Sequence, residues 1–150
     1  MKKIKFLLIC SLATCTGFSY AYSKLPDILS NKEVDLCSSK FGDNNDECLS
    51  EISNKSELSL KQVYDHKLKS IESFDYNLWW MGSEEQKQQM ITKFKASQKT
   101  WINYRDTFCQ AAVTSAQNTH DLGKVTTSCI LNMNERRIEE INFVNTNMTD

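Results

Sequence analysis

The chain has 150 residues, 40% of them hydrophobic and 25% charged, with four glycines, one proline, six cysteines and a formal net charge of −1. Those figures describe one globular domain and exclude collagen-like, low-complexity and multi-domain chains. So little glycine and proline also leaves few of the tight turns that a β-sandwich or barrel of this length needs.

The chain begins with the three parts of a secretory signal peptide. Lys2, Lys3 and Lys5 form a basic head, Phe6 to Ala13 is a short apolar run, and Ser19-Tyr20-Ala21 sets small residues where a cut after Ala21 requires them. The run is too short to span a bilayer. Leu12-Ala13-Thr14-Cys15 has the outline of a lipoprotein box, which would place a lipid anchor on Cys15. Thr14 stands where Gly, Ala or Ser is normal, so a soluble product is the preferred reading. The expected organisation is a cleaved signal over residues 1–21 and a single domain over residues 22–150. Cleavage leaves Cys37, Cys48, Cys109 and Cys129, and 15 basic residues against 19 acidic ones, a net charge of −4. An even cysteine count in a periplasmic or secreted protein implies two disulfides. The acidic balance repels nucleic acid and favours a basic protein partner.

Between Pro26 and Asn54 the pattern predicts two short helices, over about residues 30–40 and 46–53, on either side of the turn Phe41-Gly42-Asp43-Asn44-Asn45. From Ser56 to Leu78 the apolar positions Leu60, Tyr64, Leu68, Ile71 and Leu78 recur at helical steps, with lysines and Glu72 between them. Ser83 followed by Gln86 is a capping-box arrangement. It opens a long helix over about residues 84–117 with a stripe of Ile91, Phe94, Trp101, Phe108 and Ala112. Turn formers from Asn118 to Gly123 separate it from a last helix over about residues 124–145, which carries Ile130, Met133, Ile141 and Val144. The fold class is therefore all-α: a disulfide-braced bundle of three main helices with a short N-terminal helical hairpin.

Four cysteines allow three connectivities. In an antiparallel helical hairpin, residues equidistant from the turn face each other, so a bridged pair should have its midpoint on a turn. Cys109 and Cys129 centre on Thr119, and Cys37 and Cys48 centre between Gly42 and Asp43, which favours the two local bridges. On the long helix Gln98 and Arg105 share the stripe of Trp101 and Phe108, and a polar group facing a core needs a partner. The expected partners of Arg105 are Asp106, a second-helix carboxylate such as Asp75, or Glu140. This reads as an interior polar network, because no nucleophile or base accompanies Arg105 at a motif spacing.

The run Gln98-x-x-Trp101-x-x-Tyr104-Arg105-Asp106-x-x-Cys109, followed by Cys129 and then Arg137-Ile138-x-x-Ile141, resembles the LprI-type lysozyme-inhibitor family of small exported bacterial proteins. Upstream, Leu60-x-x-x-Tyr64 and the pair Cys37 and Cys48 fall where that family has its leucine-tyrosine element and its first two cysteines. The resemblance covers roughly Cys37 to Ile141. It departs at Lys61, where asparagine is frequent, at Asn134, where threonine is common, and at Gly123, the remnant of a glycine-rich turn. It implies an all-α, disulfide-braced domain whose relatives include lysozyme inhibitors, with Gln98, Trp101, Tyr104, Arg105, Asp106 and Arg137 as framework.

Framework residues explain a fold, so inhibition must come from the exposed surface. Two surface candidates stand out. Asp43, Asp46, Glu47 and Glu51 surround the first bridged turn, where a clamped acidic loop would suit a basic lysozyme. Trp79, Trp80 and Met81 sit at the junction of two helices, and adjacent tryptophans cannot both face inward. A periplasmic adaptor or immunity-like protein gripping another exported partner through those aromatics is the rival reading. A small hydrolase with a cleft around Arg105 is the third. No cofactor, metal or catalytic residue is expected: His66 and His120 lack partners at metal spacing, and HExxH, GxSxG, P-loop and GxGxxG motifs do not occur.

Overall fold

A computed structural model describes residues 28–75 and 82–144. They form four α-helices: α1 (Lys32–Phe41), α2 (Asp46–Ser73), α3 (Glu84–Ala112) and α4 (Leu122–Asn142), with a single 3-10 turn at Thr114–Ala116. The class is all-α, as the periodicity requires. Residues 1–21, expected to be a signal peptide, and the Trp79-Trp80-Met81 junction lie outside the described residues.

One boundary differs in kind from the sequence expectation. The predicted short helix ending near Ser53 and the amphipathic helix starting near Ser56 are a single 28-residue helix, α2. No glycine or proline lies between Asp46 and Ser73 to stop the helix, and Asn54, although a weak helix former, is exposed and keeps its backbone helical. The hairpin in front of the bundle is therefore α1 folded against the first turns of α2. The long helix α3 ends at Ala112, five residues earlier than expected, and the chain then tightens into the 3-10 turn.

Two helix starts carry side-chain caps, and a glycine turn leads into a third. Asn31 caps α1 by accepting a hydrogen bond from the Glu33 amide at 2.9 Å. At α3 the capping box is complete: the Gln86 amide donates to Ser83 Oγ at 3.2 Å, and the Ser83 amide donates to Gln86 Oε1 at 3.0 Å. Between α1 and α2, Gly42 has φ +58°, the left-handed side that favours glycine, and Asn45 Nδ2 donates to the Gly42 carbonyl at 2.7 Å to close the turn.

Helix α4 touches all three others, and α2 packs along it most extensively. Three apolar groups result. Val34 and Cys37 of α1 meet Leu49 of α2 and Leu131 of α4. Cys109 of α3 meets Cys129 and Met133 of α4, with Ile28 and Leu29 packed over them. Leu60, Ile71, Ile91, Phe94 and Ile141 form the third, where Tyr64 stacks on Phe94 with ring centroids 5.2 Å apart. The two disulfides are the local ones: Cys37–Cys48 joins α1 to α2 and Cys109–Cys129 joins α3 to α4, each with a Cα–Cα distance of 5.7 Å.

Candidate functional site

The framework motif folds into one interior cluster. On α3, residues 98, 101 and 105 follow each other at three- and four-residue steps, so their side chains line one ridge facing α2 and α4. Arg105, with a side chain only 8% exposed, uses its whole guanidinium fork. Nη1 donates to Glu57 Oε1 at 2.5 Å and to Asn134 Oδ1 at 2.6 Å, while Nε donates to Asp106 Oδ1 at 2.9 Å. Asn134 is itself fully buried, and its Nδ2 donates to Ser56 Oγ at 3.0 Å and to Glu57 Oε1 at 3.2 Å. One turn further along α4, Arg137 donates to Gln98 Oε1 at 2.9 Å, to Ser97 Oγ at 2.9 Å and to Glu140 Oε2 at 2.8 Å. The two guanidiniums lie 5.5 and 5.6 Å from the Trp101 ring centroid. Among the described residues, no buried side-chain polar atom lacks a hydrogen-bond partner.

The expected partner set of Arg105 is corrected in two places. The second-helix carboxylate is Glu57, five turns before the level of Asp75, which lies beyond the C-terminus of α2. Glu140 pairs with Arg137. Tyr104, placed by its motif position in the framework, is exposed and stacks on Phe108 along the outside of α3.

A groove of about 480 Å³ runs between α1 and the first turns of α2. The Cys37–Cys48 bridge and Ile52 line it together with the exposed side chains Leu36 and Phe41. Glu33, Glu47 and Glu51 supply its carboxylates, and Lys40 and Lys55 its cations. Lys40 Nζ sits 4.9 Å from the Phe41 ring centroid. A shallower continuation follows α2 past Glu51 and Lys55 to the exposed Leu58.

A protein-family model described as lysozyme inhibitor LprI matches residues 37–141. The chain belongs to the LprI lysozyme-inhibitor family. Neither curated proteins nor solved structures give a match. The matched span runs from the first bridging cysteine to the last buried residue of α4, so it contains both disulfides and the whole Arg105 cluster.

Within this LprI-family fold the acidic candidates divide. Glu47 and Glu51 face the groove. Asp43 and Asp46 line a separate hollow of about 360 Å³ with His120 and Asp121 from the link between α3 and α4 and Lys124 from the first turn of α4. Among the described residues, no cluster of His, Cys, Asp and Glu could hold a metal ion, and no helix is long and apolar enough to cross a membrane. Sequence reasoning missed Glu57 and Asn134, and also Leu36 and Phe41. Asn134, where the family commonly has threonine, is the innermost polar group of the network. The signal that could have found it is its helical spacing from Arg137 and Ile141 on one face of α4.

Proposed function

We propose that this chain is a periplasmic or secreted inhibitor of a lysozyme-type muramidase, acting by steric occlusion and without catalysis of its own. Membership of the LprI family over residues 37–141 carries the reading. Two disulfides suit an oxidising compartment, and residues 1–21 supply the signal that takes a single domain of residues 22–150 there. Arg105, the cation a hydrolase reading would need, is held by Glu57, Asp106 and Asn134 and has a framework role. A net charge of −4 after cleavage, from 15 basic and 19 acidic residues, speeds encounter with a basic enzyme, an advantage that salt screens.

The test is a titration of the protein, expressed without residues 1–21, against basic animal-type lysozymes in a cell-wall lysis assay. Saturable inhibition that weakens with added salt is the expected result. Unchanged lysis with about 50 µM protein, where even weak complexes form, would overturn the proposal for those enzymes.

A further inference from the structure

We propose that the groove between α1 and α2 is the docking site for a basic protein partner, which inserts an apolar side chain flanked by Lys or Arg. This deepens the reading above and rests on it for the identity of the partner.

The first argument is apolar exposure. Helix α1 buries Val34 and Cys37, whereas Leu36 is 58% and Phe41 42% exposed, and Leu58 on the continuation of the groove is 59% exposed. Single exposed apolar residues are ordinary. Here, of the seven large apolar side chains exposed among the described residues, two line one groove and a third, Leu58, lines the hollow adjoining it along α2. None of the three belongs to a core group, so the fold does not account for them.

Charge chooses the occupant. Residues 32–55 carry six acidic and three basic side chains, a net of −3, whereas residues 56–150 carry twelve and eleven, a net of −1. Most of the net negative charge thus lies on α1, the turn after it and the first turns of α2, with Asp43 and Asp46 on the separate hollow and Glu33, Glu47 and Glu51 on the groove. The groove itself is lined by three carboxylates, Glu33, Glu47 and Glu51, against two cations, Lys40 and Lys55, and Lys40 already lies over Phe41. A second copy of this chain would bring the same excess of carboxylates against itself, and an anionic ligand would meet that excess too. A cationic protein segment gains on both counts, its apolar tip against Leu36 and Phe41 and its charges toward Glu47 and Glu51. The groove walls are clamped by the Cys37–Cys48 bridge, which lowers the ordering cost of binding.

Three double variants at exposed positions test this, after circular dichroism confirms an unchanged fold. Leu36→Ser with Phe41→Ser should weaken inhibition of a basic lysozyme about tenfold or more while leaving its salt dependence intact. Glu47→Gln with Glu51→Gln should weaken it about threefold to tenfold and flatten the salt dependence. Glu135→Gln with Glu139→Gln changes net charge equally on α4 and should stay within about twofold of the wild type. A wild type that inhibits alongside groove variants that inhibit equally well would overturn the docking site and leave the function standing. If the wild type inhibits no lysozyme, the function fails and the groove is decided by amide NMR with acetyl-Lys-Leu-Lys-amide and acetyl-Glu-Leu-Glu-amide. Saturable shifts centred on Leu36, Phe41 and Glu51 with the cationic peptide alone sustain the site. Their absence, or a sedimenting dimer abolished by the Leu36 and Phe41 variant, overturns it.

Discussion

Arg105 shows how a buried charge is tolerated in a small helical domain. Its desolvation is offset by two carboxylates and an amide on three different segments, so the same side chain ties α3 to α2 and α4. Arg105→Ala would leave the fully buried Asn134 Oδ1 without its donor, while Glu57, whose side chain is 44% exposed, could rehydrate. Urea denaturation should therefore show a loss of about 3 kcal/mol, the low end for breaking a buried pair. Inhibition measured below the new midpoint should be nearly unchanged. A variant of normal stability with no inhibition would contradict the framework role. Tyr64 offers a second residue-level check. Burial raises its phenol above the ordinary value, with Asp65 and Glu72 adding to the shift and Lys95 opposing it. The folded state thus favours the neutral phenol, and its contribution is complete below about pH 10 and lost as the pH rises through the higher folded value. Between pH 8 and pH 11 the wild type should lose stability more steeply than Tyr64→Phe.

At the scale of elements, the α1–α2 corner depends on a turn of four residues, Gly42 to Asn45. Gly42 has φ +58° and ψ −131°, a conformation that side chains disfavour, yet a Cβ added there would meet no atom within 4 Å. Gly42→Ala should accordingly cost about 1 to 2 kcal/mol through backbone strain alone, measurable as a lower urea midpoint with an unchanged slope. Because α1 contributes just Val34 and Cys37 to the core, hydrogen exchange should rise first in α1. The length of α2 matters for the same corner. As one helix from Asp46 to Ser73 it carries Glu47 and Glu51 of the groove, Glu57 of the Arg105 cluster and Leu60 and Ile71 of the core on a single rod. The surface and the interior are thereby held in fixed relation.

For the whole molecule, α4 is the axis and the two bridges close the two ends of the chain order. The Cys109–Cys129 link spans 20 residues and the Cys37–Cys48 link 11. Chain-entropy arguments give each about 3 kcal/mol, slightly more for the longer loop. Replacing both cysteines of either bridge by alanine should lower stability by about that amount. Only loss of Cys37–Cys48 should also weaken partner binding, since that bridge lines the groove. Equal losses of inhibition from both pairs, in variants still folded, would argue against a localised docking site.

Local chemistry was enough to read the class, the capping box at Ser83, the hairpin turns and the disulfide pairing. Helical periodicity, capping and the symmetry of a bridge about its turn all act over a few residues. The family was legible for a related reason: the Gln98, Trp101, Arg105 and Arg137 spacing is the imprint of one ridge meeting another, and it converges as a cluster around Trp101. What local signals could not settle was the joining of two predicted helices into α2, which depends on packing along α4 rather than on propensity at Ser53 and Asn54. Nor could they choose Glu57 over Asp75, because both fall within the predicted amphipathic helix and only the structure ends α2 at Ser73, before Asp75. The groove is a purely tertiary object. Nothing in the spacing of Leu36 and Phe41 marks them as surface, and they face solvent because the narrow buried face of α1 holds no more than Val34 and Cys37.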